Sequence, residues 1–336
     1  MKHSTWKNRV RLAGALIAAG LLCAFALSAC GQASSSDSSG KEAQKSSGGL
    51  EILFEQDDGL INNYTLIAVN PKAPFADADG KAVSDVKLNA TGAQAFIDWM
   101  LSDEGIELAK NYGVDTYGQA LFSIKDDAPH YTGDIPKATD ETKTVRLSTT
   151  TSVNDSGLLD ALLPTFEDKY GYKVEVYSAG TGKAIANAKN GNADAILVHS
   201  KSQEEAFVKD GFAHTLPGFD SERLTYMYNY FVLCGPADDP AGVKEAGSAK
   251  DAFAKIAESK SKFVSRGDKS GTHTKEVSLW PEDLGITTEA DSVAKYTDWY
   301  IYSNAGMGDC LTMAKEQGAY ILSDKATYLS FMANQK

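Results

Sequence analysis

Two stretches of this sequence are rich enough in hydroxyl and backbone donors to hold an oxyanion. One is Ser148-Thr149-Thr150-Thr151-Ser152, followed by Val153-Asn154-Asp155-Ser156-Gly157; the other is Ser265-Arg266-Gly267-Asp268-Lys269-Ser270-Gly271-Thr272-His273. Each follows a short apolar run that reads as a strand and leads into a helix-like stretch. Each can therefore set hydroxyls, free N–H groups and the positive end of a helix around one anion. From the first loop Thr150, Thr151 and Ser152 supply hydroxyls, with backbone donors near Val153. From the second, Arg266 supplies a planar cationic fork, and Ser270, Gly271 and Thr272 supply hydroxyl and backbone donors. Thr181 and Gly182 open a third helix-like stretch that can close the same cavity. Each assignment has a plainer rival. A threonine run is commonly a strand end, and Arg266 can pair with Asp268 for structural reasons alone. Asp268 can cap the following helix; an acceptor facing a deprotonated dianion is repulsive, which places it behind the direct contacts.

Other chemistries fit less well. Gly180-Thr181-Gly182-Lys183 superficially suggests a nucleotide loop, but Tyr177 stands where the first Walker glycine belongs and Ala184 replaces the metal-binding Ser or Thr. Ser270 with His273 could form the nucleophile and base of an extracytoplasmic serine hydrolase. They are three residues apart at a helix start, however, with no Gly-x-Ser-x-Gly elbow and no evident orienting carboxylate. His130, His199, His214 and His273 are isolated, with no His-x-His or Glu-x-x-His spacing, so no metal site is expected.

The chain opens with Lys2, Lys7, Arg9 and Arg11 ahead of an apolar run from Leu12 to Leu27, which ends in Leu27-Ser28-Ala29-Cys30. This reads as a secretory signal over residues 1–29, too short for a membrane span, which needs about 20 apolar residues. A small residue before cysteine resembles the bacterial lipobox, so Cys30 is expected to carry lipid on the extracytoplasmic face of the membrane. Residues 30–49, dominated by Ser and Gly, read as a flexible tether. The signal takes four of the 33 basic residues and none of the 45 acidic ones, leaving a mature chain near −16. Nucleic acid is an unlikely partner for such a surface. A small anion is not excluded, because distant charge is screened within about 10 Å. Beyond Cys23 and Cys30 only Cys234 and Cys310 remain, one disulfide or two buried thiols.

Strand and helix signals alternate along the remaining chain. Strands are expected at Tyr64–Val69, Val145–Leu147, Lys173–Tyr177, Ala195–Val198, Met227–Leu233, Lys262–Val264 and Gly318–Leu322. Helices are expected over Gly92–Tyr112, Leu158–Tyr170, Thr181–Asn190, Ala249–Ser259 and Thr272–Trp280. This order predicts an α/β fold with largely parallel sheets. Lys125–Lys143 lacks apolar periodicity and reads as a linker, long for a compact domain.

From Thr144 onward the sequence resembles the tungstate-binding proteins of ABC importers, within the type II periplasmic binding proteins. The resemblance is carried by Ser148–Ser152 with Asp155-Ser156-Gly157-Leu158-Leu159, by Gly180–Ala184, by Ala193–His199, by Met227-Tyr228-Asn229 with Gly235-Pro236, by Phe263–Asp268 with Ser270–His273, and by Gly306-Met307-Gly308. Tyr230 departs from it, standing where that family tends to carry a polar residue. Residues Leu50 to Phe122, with Ile67–Pro71, Gly92–Trp99 and Gly118–Phe122, resemble the C-terminal end of the same family, which would follow a segment like Ala326–Ser330. The order implies a circular permutation in which residues 123–143 join the old ends, and it requires the chain end to fold near Leu50.

The resemblance implies a two-lobed α/β fold, each lobe a mostly parallel sheet flanked by helices, with the anion in the cleft. Lobe I would span 60–225 and lobe II 226–336, with a strand at 50–59 returning to lobe II. The implied function is capture of tungstate, with molybdate or phosphate as alternatives and phosphate favoured by the carboxylate of Asp268. Implied partners are a membrane permease and its ATPase. No cofactor is implied, and the chain is read as a monomer. Asn304–Gly308 and Trp299-Tyr300 are candidates for lining the cleft, the aromatics more naturally as core.

Overall fold

The structure, a computed structural model, describes residues 49–77 and 79–334. The leader, Cys30 and all of the tether except Gly49 lie outside the described residues. Among those described, no helix is long and apolar enough to cross a membrane.

The strands are β1 (Leu50–Phe54), β2 (Ile61–Ala68), β3 (Ser123–Ile124), β4 (Thr144–Thr150), β5 (Lys173–Ala179), β6 (Ala195–Val198), β7 (Leu224–Pro236), β8 (Phe263–Ser265), β9 (Tyr300–Tyr302) and β10 (Tyr320–Asp324). The helices are α1 (Ala90–Met100), α2 (Asp103–Asn111), α3 (Val114–Tyr117), α4 (Thr151–Asp155), α5 (Leu158–Tyr170), α6 (Thr181–Lys189), α7 (Lys201–Lys209), α8 (Ala249–Ser259), α9 (Gly271–Val277), α10 (Met307–Gln317) and α11 (Lys325–Ala333).

One strand organises the molecule. β7 pairs with β2 over its first half, from Leu224 to Tyr230, and with β10 from Phe231 to Cys234, so its partner changes between Tyr230 and Phe231. The order β5-β4-β6-β2-β7-β10-β8-β9 follows, with β1 and β3 also paired to β7. Pairing is parallel in the outer strands, β4 with β5 and β6, and β8 with β9 and β10. It is antiparallel wherever β2 or β7 takes part. The sheet is thus mixed rather than largely parallel, because β2 and β7 run against the βαβ units on either side.

Both faces are covered, and side chains alternate between them with the period of two that a strand imposes. Phe231 and Leu233 pack with Phe253, Phe263 and Trp280, whereas Val232 and Cys234 face Val264, Cys310 and Leu311. On the β2 side of the sheet Tyr64 and Leu66 join Trp99 and Phe166, whereas Ile67 and Val69 face Ile196 and Phe207. Trp299 and Tyr300 are core residues, and Tyr230 packs against the Phe231–Phe253 core. Cys234 and Cys310 are buried free thiols.

The helix expected over Gly92–Tyr112 is broken in two. Ser102 caps α2, its hydroxyl donating to Trp99 O at 2.7 Å and accepting from Gly105 N at 3.3 Å. Gly105 permits the bend, since a Cβ there would lie 2.2 Å from Trp99 O. The strand expected at 50–59 ends at Phe54 and is followed by a helical turn, Asp58–Leu60, capped by Asp57. Residues 125–143 contain no helix or strand but are fastened down. Tyr131 N donates to Leu101 O at 2.9 Å, Ala138 N donates to Tyr170 O at 2.8 Å, and Ala128, Tyr131, Ile135 and Ala138 pack on the Trp99–Phe166 core.

The two ends of the described chain meet. The Tyr328 hydroxyl of α11 donates to Leu50 O at 2.8 Å, and Lys325 Nζ lies 2.8 Å from Glu55 Oε2.

Candidate functional site

The C-terminal ends of parallel strands are where α/β folds gather ligand groups, and β4, β5 and β6 deliver Thr150, Ala179 and Val198 to one edge. Not every hydroxyl of the first loop faces outward. Ser148 donates to Ala184 O at 2.9 Å and Thr149 to Leu197 O at 2.7 Å, so both tie β4 to its neighbours. Thr150, Thr151 and Ser152 form the rim. α4 has five residues, so it contributes a turn of amides rather than the helix dipole expected near Val153.

Behind this rim runs a chain of buried polar groups. Thr150 Oγ1 lies 3.0 Å from Ser152 Oγ, and Ser152 Oγ lies 3.0 Å from His199 Nε2. His199 Nδ1 lies 2.8 Å from Asn62 Oδ1. The Asn62 amide donates to Tyr64, to Asn229 Oδ1 and to Asp324 Oδ2, which fixes its oxygen toward His199. His199 Nδ1 is therefore the donor and Nε2 the acceptor for the Ser152 proton, leaving Thr150 to donate to Ser152. Burial, reinforced by the Arg266 charge, lowers the His199 pKa to about 3, so the ring is neutral. The chain ends on Asp324, whose Oδ2 also accepts from Tyr64 at 2.7 Å and Asn229 at 2.6 Å while Oδ1 caps α11 through Thr327 N. Burial still raises that carboxyl.

The second loop approaches from the end of β8, on the far side of β7. Arg266, 4 % exposed, places Nη1 3.5 Å from Thr151 Oγ1 and donates from Nη2 to Asp268 Oδ2 at 2.5 Å. Asp268 Oδ1 accepts from Ser270 N at 3.1 Å. The ion-pair reading of Asp268 holds, whereas the cap of α9 is Ser270, which accepts from His273 N; Asp268 instead braces the loop through Ser270 N, and each of its oxygens is engaged. Gly267 turns the chain at φ 62° where a Cβ would meet the Tyr302 ring at 2.7 Å. Gly271 lies so close to His199 that a Cβ would come within 2.6 Å of the ring.

The third loop closes on the second. A Cβ at Gly180 would lie 3.4 Å from Ser270 Cβ, and one at Gly182 would lie 3.6 Å from Lys269 O. The nine candidate positions, Thr150, Thr151, Ser152, Thr181, Gly182, Arg266, Ser270, Gly271 and Thr272, therefore meet as three loops. Arg266 Nε, Thr181 Oγ1 and Thr272 Oγ1 are buried without a hydrogen-bond partner among the described residues. Such orphaned donors are costly to bury unless something accepts from them.

The hydrolase arrangement is not assembled. Ser270 Oγ accepts from the backbone N–H of His273 at 3.2 Å, and His273 Nδ1 accepts from Lys269 N at 3.0 Å, so the ring does not address the hydroxyl. Among the described residues no cluster of His, Cys, Asp and Glu could hold a metal. Asn62 and Asp324 are not singled out by the sequence, and Asn229 and His199 enter only within motifs that carry the resemblance, with no role in the site.

A family model described as a PBP superfamily domain matches residues 137–336. The chain is 46% identical over 204 residues to the tungstate-binding protein TupA of Peptoclostridium acidaminophilum, covering 60% of this chain and 66% of that one. It is 39% identical over 186 residues to the TupA of Campylobacter jejuni, covering 55% and 63%. Among solved structures, the tungstate ABC transporter protein from Geobacter sulfurreducens is 42% identical, covers 56% of this chain and 75% of that chain, and has a TM-score of 0.47. The chain spans from about half to two thirds of the length of the curated relatives it matches. The family match takes in all three loops and more than half of the sequence, and the chain belongs to the PBP superfamily.

Proposed function

We propose that this protein is the tungstate receptor of an ABC importer, anchored outside the membrane through lipid on Cys30 and delivering its anion to a permease and ATPase. The observation that carries the reading is the donor excess where the loops meet. Arg266 Nε, Thr181 Oγ1 and Thr272 Oγ1 lack acceptors, and the one carboxylate there, Asp268, has both oxygens engaged. An anion with no proton suits such a pocket, since it supplies only acceptors. A protonated phosphate also needs an acceptor for its own hydrogen, so phosphate is disfavoured despite Asp268. Molybdate matches tungstate in charge and nearly in size and is expected to bind as well. The relatives named for tungstate binding support the choice. Thr150 and Ser152 direct their protons inward, so they act mainly by shaping the rim, and direct donation falls to Thr151, Thr181, Arg266, Ser270, Thr272 and the amides of Gly182 and Gly271.

Titration calorimetry of the purified protein with tungstate, molybdate, sulfate and phosphate tests this reading. Tight binding of the first two and weak or absent heat with phosphate is expected; no heat with any of the four refutes it. Loss of membrane association on Cys30→Ser tests the anchor.

We also infer that the chain is circularly permuted. The contact between α11 and Leu50 supports it, as does a family match that begins only at residue 137. The proposed lobes are 60–225 and 226–336, with β1 belonging to the second; the change of partners along β7 supports a boundary within that strand. A rearranged chain that starts at Thr144 and joins its C-terminus to Leu50 should fold and bind the same anion with the same affinity.

A further inference from the structure

Beside the three loops lies a cavity of about 860 Å³, bounded by β2, β7, α7 and α9, and two of its wall residues, His199 and Gly271, belong to the candidate site itself. Its charged lining is arranged in pairs. Lys125 lies 3.1 Å from Asp127, Lys201 lies 3.7 Å from Glu205, and Arg223 lies 2.5 Å from Glu204, each pair lying wholly within the lining. Lys275 is the exception. It is half-buried on α9, one turn beyond Gly271, and among the described residues its ammonium has no ion-pair or hydrogen-bond partner. Asp57 acts on it only from beyond ion-pair contact, and burial holds its pKa below the ordinary lysine value. A desolvated cation with no partner in a cleft is a common mark of a functional group.

We propose that this cavity is an approach site for the oxyanion, in which Lys275 draws the dianion in from solvent to the N-terminal end of α9, beside the buried donors. The proposal rests on the oxyanion-receptor reading above. The chain as a whole is strongly acidic, and its field opposes the approach of a dianion. Over the last Debye length, about 8–10 Å, that field gives way to nearby charges. Three neutral pairs contribute little there, so Lys275 sets the sign of the local potential. Thr274 and Ser278, also in the lining, commit their hydroxyl protons to Ser270 O at 3.0 Å and Lys275 O at 2.6 Å, so the Lys275 ammonium is the donor left for an anion resting there.

The test is the rate of tungstate association, followed by stopped-flow tryptophan fluorescence over a range of ionic strength, in the wild-type protein, Lys275→Gln and Lys275→Arg. Lys275→Gln is expected to slow association roughly ten-fold at low salt and to flatten its salt dependence, since one unit charge is removed from the path of a dianion. Lys275→Arg should restore both. Dissociation should slow by a similar or smaller factor, leaving the equilibrium constant from calorimetry changed less than the rate. A Lys275→Gln association rate and salt slope equal to wild type, with wild type binding tungstate, overturns the approach site and leaves the receptor intact. Absence of tungstate binding by the wild type overturns both.

Discussion

His199 accepts the hydroxyl proton of Ser152 across 3.0 Å from a ring that is neutral and buried. Replacing His199 by Leu removes the acceptor of the Ser152 proton and the donor to the Asn62 oxygen. Unsatisfied buried groups cost about 1–3 kcal/mol each, so His199→Leu should lose about 2–5 kcal/mol in urea unfolding. The same ring gives the protein an acid limit. Its folded pKa of about 3 lies below the unfolded 6.5, so between those values the unfolded state binds the extra proton and stability falls as pH falls. His199→Gln should flatten that slope by up to about 1.4 kcal/mol per pH unit.

Arg266 is the fixed charge of the pocket. Arg266→Lys keeps a cation but removes Nε and the fork, and should weaken tungstate binding by about 2–4 kcal/mol in calorimetry, the value of one or two charge-assisted hydrogen bonds. An affinity unchanged within two-fold would move Arg266 out of the site.

Gly271 has no room for a methyl group beside His199. Gly271→Ala should push the ring from Ser152, costing about 1–3 kcal/mol of stability as overpacking does and lowering anion affinity with it. The neighbouring Gly267→Ala should be destabilising for a different reason, its positive φ and the Tyr302 ring. Thermal melts with and without tungstate separate the two, because only Gly271→Ala should also shrink the ligand-induced shift.

Glu276 is buried on the inner face of α9, accepting from Trp280 Nε1 at 3.0 Å and from the Tyr300 hydroxyl at 2.5 Å. Burial raises its pKa to about 7. A carboxyl raised above its unfolded 4.5 contributes stability that is full below pH 4.5 and is lost as pH rises through 7. Glu276→Gln, which keeps an acceptor for both donors, should match wild type at pH 4 and exceed it by about 2–3 kcal/mol at pH 8. Chemical unfolding at the two pH values measures it.

The elements that carry strong local signals were legible in advance. Leu158–Tyr170 has apolar residues at 158, 159, 162, 163 and 166 between two glycines of positive φ, and Ala195–Val198 is a wholly buried run; both appear where the pattern puts them. The three loops were legible because each hydroxyl cluster follows a strand, and chain order alone cannot hide that. What lay beyond reach was the support behind them. Asn62, followed by Asn63, and Asn229, between two tyrosines, are polar residues inside β-rich runs, and only the register that sets them opposite each other on β2 and β7 shows why they are tolerated. Asp324 lies 262 residues from Asn62, so nothing local joins them. The hint available was the cost itself, since an asparagine in a buried strand needs a partner. The direction of β2 and β7 was equally hidden, because pairing partners chosen from opposite ends of the chain leave no trace in periodicity.

The hydrogen bonds from Thr150 through Ser152, His199 and Asn62 to Asp324 all point one way. A string of that kind is all-or-none: no link can be turned round while its neighbours keep their orientation. Reversing it needs a proton on Asp324, a flipped Asn62 and the other tautomer of His199 together, and the outcome would be a hydroxyl hydrogen released at the rim. On the receptor reading, a proton on one carboxylate at the head of α11 would be felt at the rim of the β4 loop as one more donor for the anion.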